Sequence, residues 1–366
     1  MQTVRFITRD KNLFFNTLKS RVDAHFRERG ISSHANYKMV IKTIVLMTFY
    51  IVPFAIFAIF VPPFWVSILL WIVMGAALAG IGMSVMHDAN HGAYSANNTV
   101  NQLVAYSLNM LGASIHNWKL QHNVLHHTYT NIAHLDHDID EKGFFRFTPH
   151  NRPKFMHRFQ FIYAFAFYGI MSLYWVTIKD FVQFFRYIHL GVNRKSRSEN
   201  VVIFLKIVAL KVVYFGVFLG IPVLLGNTFV VVLTGFILMQ FIAGIILTTI
   251  FQMAHTVEGT SHPLPCTAGN IENDWAIHQL NTTSNFARHN KWLSWYVGGL
   301  NFQVEHHLFS KICHVHYPEI APIVKQTADE FGVPYLEQRT FWQALNSHIT
   351  VLRQFGRMPS LDDAIG

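Results

Sequence analysis

Charge is scarce in this chain. Asp, Glu, Lys and Arg make up 13% of its 366 residues, about half the share usual in a soluble domain. With 51% hydrophobic residues, that shortage excludes an ordinary water-soluble globular protein. Cysteine is nearly missing too. Cys266 and Cys313 fall short of the roughly four protein ligands an iron–sulfur cluster needs, and they supply no disulfide framework. No Gly-x-Gly-x-x-Gly opens a helix after a strand, which excludes that route to a nicotinamide or flavin. The opening residues lack the charged, apolar and small-residue order of a cleaved signal peptide, so insertion falls to the first long apolar run. There is no internal repeat and no low-complexity tract.

The charge that remains is mostly basic, a formal +9. Arg5, Lys19, Arg21, Arg27, Arg29 and Lys38 all precede the first apolar run. That is the positive-inside pattern, and it places the N-terminus in the cytoplasm. The basic balance therefore does not point to nucleic acid. The 33 Phe, 13 Tyr and 8 Trp suit a chain that meets lipid tails and headgroups.

Four runs, roughly 40–60, 64–86, 204–225 and 229–254, are long enough for a bilayer, which takes about 20 residues. Val61-Pro62-Pro63 and Gly226-Asn227-Thr228 are short joints that turn two hairpins. Lys206 and Lys211, early in the third run, are expected to snorkel toward the interface. By parity, the second and fourth spans both return to the cytoplasmic face, and each is followed at once by a histidine, His87 or His255. Residues 99–115 are short and interrupted, and 159–178 would put later histidines on the wrong side if they crossed. Both are read as in-plane or re-entrant helices. The expected fold is all-α and membrane-integral, with four transmembrane helices in two hairpins, in-plane helices and a cytoplasmic helical cap carrying a di-metal site. Its parts are a cytoplasmic or interfacial segment 1–39, a membrane domain 40–325 and a helical tail 326–366. Within the first part, Phe15, Leu18, Val22 and Phe26 recur at helical spacing, which fits either a membrane-surface helix or a cap helix.

Histidine is the anomaly, with 22 against 20 acidic residues. Three boxes stand out: His87-Asp88-Ala89-Asn90-His91, His122-Asn123-Val124-Leu125-His126-His127 and Gln303-Val304-Glu305-His306-His307. Residues four apart share a helix face, so His87 with His91, and His122 with His126, can reach one ion. Isolated histidines such as His25, His34, His157, His189 and His348 read as interface hydrogen-bonding groups. Seven clustered in three boxes, each at a membrane-face position, read as metal ligands. With His255 they offer eight imidazoles, twice what one tetrahedral zinc takes. Ligand type alone leaves iron, copper, zinc and nickel open. Asp136, His137, Asp138 and Asp140 read as a solvated loop contacting the second box. Trp118, Trp292 and Trp295 read as interface anchors or tunnel walls. Asn97 and Asn281 begin glycosylation sequons on the cytoplasmic side and are discounted.

The ordered set of boxes resembles the membrane fatty acid desaturases, whose pattern is H-x3-H, H-x2-H-H and H/Q-x2-H-H. The third box, continuing through Leu308 and Phe309, is similar to the front-end type and to some sphingolipid desaturases, which carry Gln where others carry His. The resemblance runs from about His87 to Val324 and includes Gln279 through Phe286. It implies two iron ions held by His87, His91, His122, His126, His127, His255, His306 and His307, with O2 as co-substrate and a fatty acyl substrate carried by coenzyme A or a membrane lipid. Gln303 either ligates through its amide oxygen or holds a water beside the metal. Asn90 replaces the Gly of many front-end members. His262-Pro263-Leu264-Pro265 is not the haem signature of the cytochrome domain fused to many eukaryotic relatives, so a separate donor, a ferredoxin or small cytochrome, is implied. Competing readings are a membrane di-iron hydroxylase of lipids or alkanes, separated by product analysis, and a metal transporter or zinc-dependent hydrolase. Transporters hold their ligands near the bilayer midplane, whereas these histidines begin where spans end.

Overall fold

Long apolar runs free of charge favour helices, because inside a bilayer every backbone polar group must be satisfied within its own segment. The computed structural model describes residues 4–8, 12–139, 143–266, 269–271 and 273–361, so Asp140 lies outside them. It is mostly helical, with two short parallel strand pairs. We label its main helices α1 (Leu13–Arg29), α2 (Tyr37–Phe60), α3 (Phe64–His91), α4 (residues 115–129), α5 (Phe155–His189), α6 (Arg197–Leu224), α7 (Phe229–His255), α8 (Trp275–Thr282), α9 (Gln303–Leu308), α10 (Tyr317–Glu330) and α11 (Phe341–Phe355). Helices α2, α3, α6 and α7 coincide with the four expected spans. A fifth, α5, is also long and apolar enough to cross, so length and composition alone do not separate it from the others.

The chain divides into two units. One, the hairpin unit, comprises Ala35–Leu120 and Phe165–Thr249; the other, the histidine unit, comprises Met1–His34, Gln121–Ala164 and Ile250–Gly366.

In the hairpin unit, Asn36 caps α2 through the Lys38 amide, and Ser196 with Glu199 forms a capping box on α6. Between α6 and α7 the chain turns at Gly226, whose φ of +104° a side chain would oppose. Helix packing relies on small residues that let backbones approach. A Cβ on Gly235 would lie 2.1 Å from Trp71, and one on Gly244 would lie 2.5 Å from the Gly169 carbonyl. Helix α5 packs against these helices. Its Gly169 meets Phe241 and Gly244, Ser172 donates to Gln240, and Asp180 pairs with Lys211. Positions 211 and 240–244 stand at similar distances either side of the Gly226 turn. Lys211 does not snorkel as expected. It is buried, donating to Asp180 (2.6 Å), the Gly112 carbonyl (2.7 Å) and the Trp175 carbonyl (3.2 Å), because a carboxylate within reach removes the reason to seek water. Lys206 is exposed.

The histidine unit has its own core. The apolar face of α1, Phe14, Leu18, Val22 and Phe26, packs with Ile320, Val324 and Ala328 of α10. The apolar face of α1 is therefore covered by protein and not left open toward a membrane surface. Exposed pairs Arg21–Glu330 (2.6 Å) and Arg29–Glu319 (2.9 Å) flank the contact. Strand β1 (Arg5–Phe6) pairs with β2 (Asn270–Ile271), and β3 (Asn285–Phe286) with β4 (Glu337–Gln338). Fully buried Arg146 donates to the carbonyls of Pro149, Asn151, Phe355, Met358 and Pro359. It thereby satisfies carbonyls that the end of α11 leaves over.

Candidate metal centre

Box one closes α3. Residues 81–85 form a π-helical turn just before it, and Gly92 ends the helix at φ +76° immediately after His91. The His87 and His91 rings lie 4.7 Å apart, and Trp118, buried within the same unit, packs 5.8 and 5.7 Å from them. Trp118 is thus a wall beside the first box, whereas Trp292 is 87% exposed.

Box two departs from the expected α-helical spacing, since Lys119–His126 is π-helical. A π turn brings residues five apart into register, and the Nε2 atoms of His122 and His127 stand 3.3 Å apart. Single-turn π insertions recur at functional sites. Box three occupies the six-residue α9, every residue of which is buried. His255 is the last residue of α7 and is fully buried.

Within the histidine unit these side chains converge. His126, His255 and His307 form one group whose ligand atoms lie within 4.8 Å of one another, and His127, His306 and His307 form a second. Ring separations are 4.7 Å for His126–His255, 5.0 Å for His255–His307 and 4.6 Å for His127–His306.

Four of these rings, those of His126, His255, His306 and His307, are turned by a partner on Nδ1. His126 Nδ1 donates to Asp136 (3.0 Å), His255 Nδ1 to the Thr282 carbonyl (3.4 Å) and His307 Nδ1 to Gln279 Oε1 (2.8 Å). His306 Nδ1 shares a proton with the Tyr317 hydroxyl at 3.3 Å. The Thr130 hydroxyl ties Gln279 to the His126 carbonyl, and Trp275 Nε1 donates to the His127 carbonyl at 3.1 Å. Such outer bonds fix the tautomer and aim Nε2 inward, as metal-binding histidines require. Asp136 bears out the contact of its loop with box two, but the loop is not solvated there, since Asp136 and His137 are buried. Burial is the largest influence on the Asp136 carboxyl and would raise it, but the His126 ring and the amides of Asp138 and Asn131 together hold it below the usual range.

The inner atoms pass a second test. Among the described residues, His126 Nε2, His255 Nε2 and Gln303 Oε1 are buried with no hydrogen-bond partner. Leaving such atoms unsatisfied costs about 1–3 kcal/mol each; a bound cation would remove that cost for the imidazoles. A donor set dominated by neutral imidazole fits a transition-metal ion. The sequence reading missed Gln279, Thr130, Tyr317 and Asn285. Gln279 and Asn285 lie in the stretch that resembles the family, but nothing in their types signals that they bond to box three, Gln279 to His307 and Asn285 to Glu305.

Comparison with known proteins agrees with this geometry. The sequence model of the family described as fatty acid desaturase matches residues 63–339. An sn-1 linoleoyl-lipid 6-desaturase of Synechocystis sp. is 36% identical over 95% of this chain and 96% of its own length. A protein of that same description from Arthrospira platensis is 35% identical over 98% of this chain and 96% of its own length. An acyl-lipid (8-3)-desaturase of Physcomitrium patens is 32% identical over 97% of this chain and 74% of its own length. With apolar helices long enough for several membrane passes, a buried histidine centre, and relatives matched along almost the whole chain, the protein belongs to the fatty acid desaturase family and is a multi-pass membrane oxidoreductase of acyl chains.

Proposed function

We propose that the protein is a front-end acyl-lipid desaturase, inserting a double bond between an existing one and the carboxyl end of a chain esterified to a membrane lipid. The observation that carries this is the inward-facing imidazole set of boxes two and three, built on a Gln-type third box. The relatives named for acyl-lipid activity favour a lipid over coenzyme A as carrier.

In this reading His87, His91, His122, His126, His127, His255, His306 and His307 hold two iron ions, and Gln303 ligates or holds a water beside them. Such a centre, given O2, two protons and two electrons from a separate ferredoxin or small cytochrome, supplies the oxidant that removes two hydrogens from adjacent methylenes and leaves a double bond and two waters. Asp136, Gln279, Thr282 and Tyr317 keep the imidazoles neutral at Nε2 and correctly turned. Trp118 and an enclosed apolar cavity of about 30 Å³, lined by residues including Gly82, Met86, Ala113 and Trp175, offer methylene-compatible walls next to box one. The site faces the cytoplasm, with α5 lying across the hairpins. Supporting that course, residues 169–180 stay level with 211 and 240–244 instead of climbing along α6 and α7.

The test is to feed polyunsaturated chains of two lengths to cells expressing the protein and locate the new bond by mass spectrometry. An apolar tunnel tolerates an added methylene at about 1–3 kcal/mol, so both products should carry the new bond at one distance from the carboxyl. A fixed distance from the methyl end, or activity on saturated chains only, would refute the front-end reading.

A further inference from the structure

Box three is held from a direction the metal chemistry does not require. Helix α9 is only six residues long, too short to be stable alone. On the side away from its histidines, Glu305 is fully buried, and its carboxylate accepts from Asn285 Nδ2 (2.8 Å) and the Tyr335 hydroxyl (2.7 Å). Asn285 also takes the Val304 amide on its Oδ1 at 2.9 Å, capping the first turn of α9. Asn285 opens β3, and Tyr335 lies two residues before β4, the strand that β3 pairs with. The Asn285 amide donates to the Leu336 carbonyl at 3.0 Å, and Asn285 stands opposite Glu337. Arg288 clamps that pair through a two-point ion pair with Glu337 at 2.7 and 2.6 Å, and lies over the Tyr335 ring. Glu337 and Arg288 are mostly buried, so the pair is less screened than a surface bridge.

We infer that segment 335–338 is a positioning element for the metal centre: Tyr335 and Asn285, converging on Glu305, set the register of α9 and so aim His306 and His307. None of these groups reaches the inner nitrogens. They act through the helix, as a splint acts through a bone. The inference rests on the metal-binding reading above.

The test uses the purified full-length chain in detergent, stripped with a chelator and titrated with Co(II) alone, whose visible bands report ligand geometry. Tyr335→Phe removes one hydroxyl and should leave the thermal midpoint of the stripped protein nearly unchanged. It should nonetheless weaken Co(II) binding about 10-fold, the low end of what losing a ligand's own hydrogen-bond partner does, since Tyr335 acts one bond further out, and shift the bands. Glu305→Gln keeps an acceptor for one donor and should recover part of the loss seen in Glu305→Leu. Arg29→Ala, which breaks an exposed pair, should change nothing. Parent affinity and parent bands in both Tyr335→Phe and Glu305→Gln would overturn the inference while leaving the metal reading intact. If the parent chain itself takes up neither Co(II) nor Fe(II), the metal reading fails and the inference falls with it.

Discussion

The two units bury polar groups to opposite ends. In the hairpin unit, Lys211 with Asp180, and Gln240 with Ser172 and Tyr214, satisfy one another within an apolar packing of helices. In the histidine unit, hydrogen bonds satisfy Nδ1 of His126 and of His255 and, among the described residues, leave the inner Nε2 of both bare. The first arrangement minimises the cost of burial. The second keeps a cost in place, ready for a ligand to remove. Stability and function are therefore expected to respond to different substitutions.

The sharpest way to break that contrast is at the histidines. His91→Ala, His126→Ala and His307→Ala should each bring product below detection and lower iron content, with the protein still inserted in membranes. Full activity and normal iron in any two of them would dissolve the distinction. The converse variant lies in the hairpin unit. Lys211→Met leaves the Asp180 carboxylate buried without its cation, which costs about 3–5 kcal/mol. Its thermal midpoint should fall steeply, and adding Asp180→Asn should restore most of it, while product per folded molecule stays close to parent. An unchanged midpoint in the single variant would show that the pair does not bear on stability.

A smaller effect should come from acid. Burial pushes His278 and His348, both in the histidine unit, down to about 4 from an ordinary 6.5. The unfolded chain then binds protons that the folded one refuses, so stability is complete above pH 6.5 and drains away as pH falls toward 4. At pH 5 each should cost roughly 2 kcal/mol. Denaturation of the chelated protein at pH 7 and pH 5 would measure this, and His348→Gln should flatten the profile. The smallest perturbation tests topology alone. In a chain with Cys266 and Cys313 replaced, Arg152→Cys and Arg194→Cys, at exposed positions before and after α5, should both be labelled from the cytoplasmic side. Labelling from opposite sides would make α5 a full span.

Much of the fold was legible because bilayer chemistry leaves few options. Apolar runs bounded by Val61-Pro62-Pro63 and Gly226-Asn227-Thr228 become helices α2, α3, α6 and α7, although α3 continues through box one to His91 and α6 starts seven residues early, at Arg197. The boxes were legible because histidine is rare and its clustering at span ends has no cheap structural explanation. Lys211 was misread because a lone lysine in an apolar run looks like a snorkeller until its carboxylate, 31 residues back in the chain, is placed beside it. Box two was read with α-helical spacing because the π turn that pairs His122 with His127 depends on packing, not on local propensity.

What the sequence by itself determined was the kind of protein: apolar period and length decide membrane helices, and the histidine boxes with their Gln-type third member decide the chemistry to expect. Only the tertiary structure decided how each imidazole is turned, through Asp136, Gln279, Thr282 and Tyr317, and how α9 is held through Asn285 and Tyr335. The reason is physical. Burial and helix formation follow from residue types near one another in the chain, whereas a hydrogen bond's direction depends on two groups that meet only after folding.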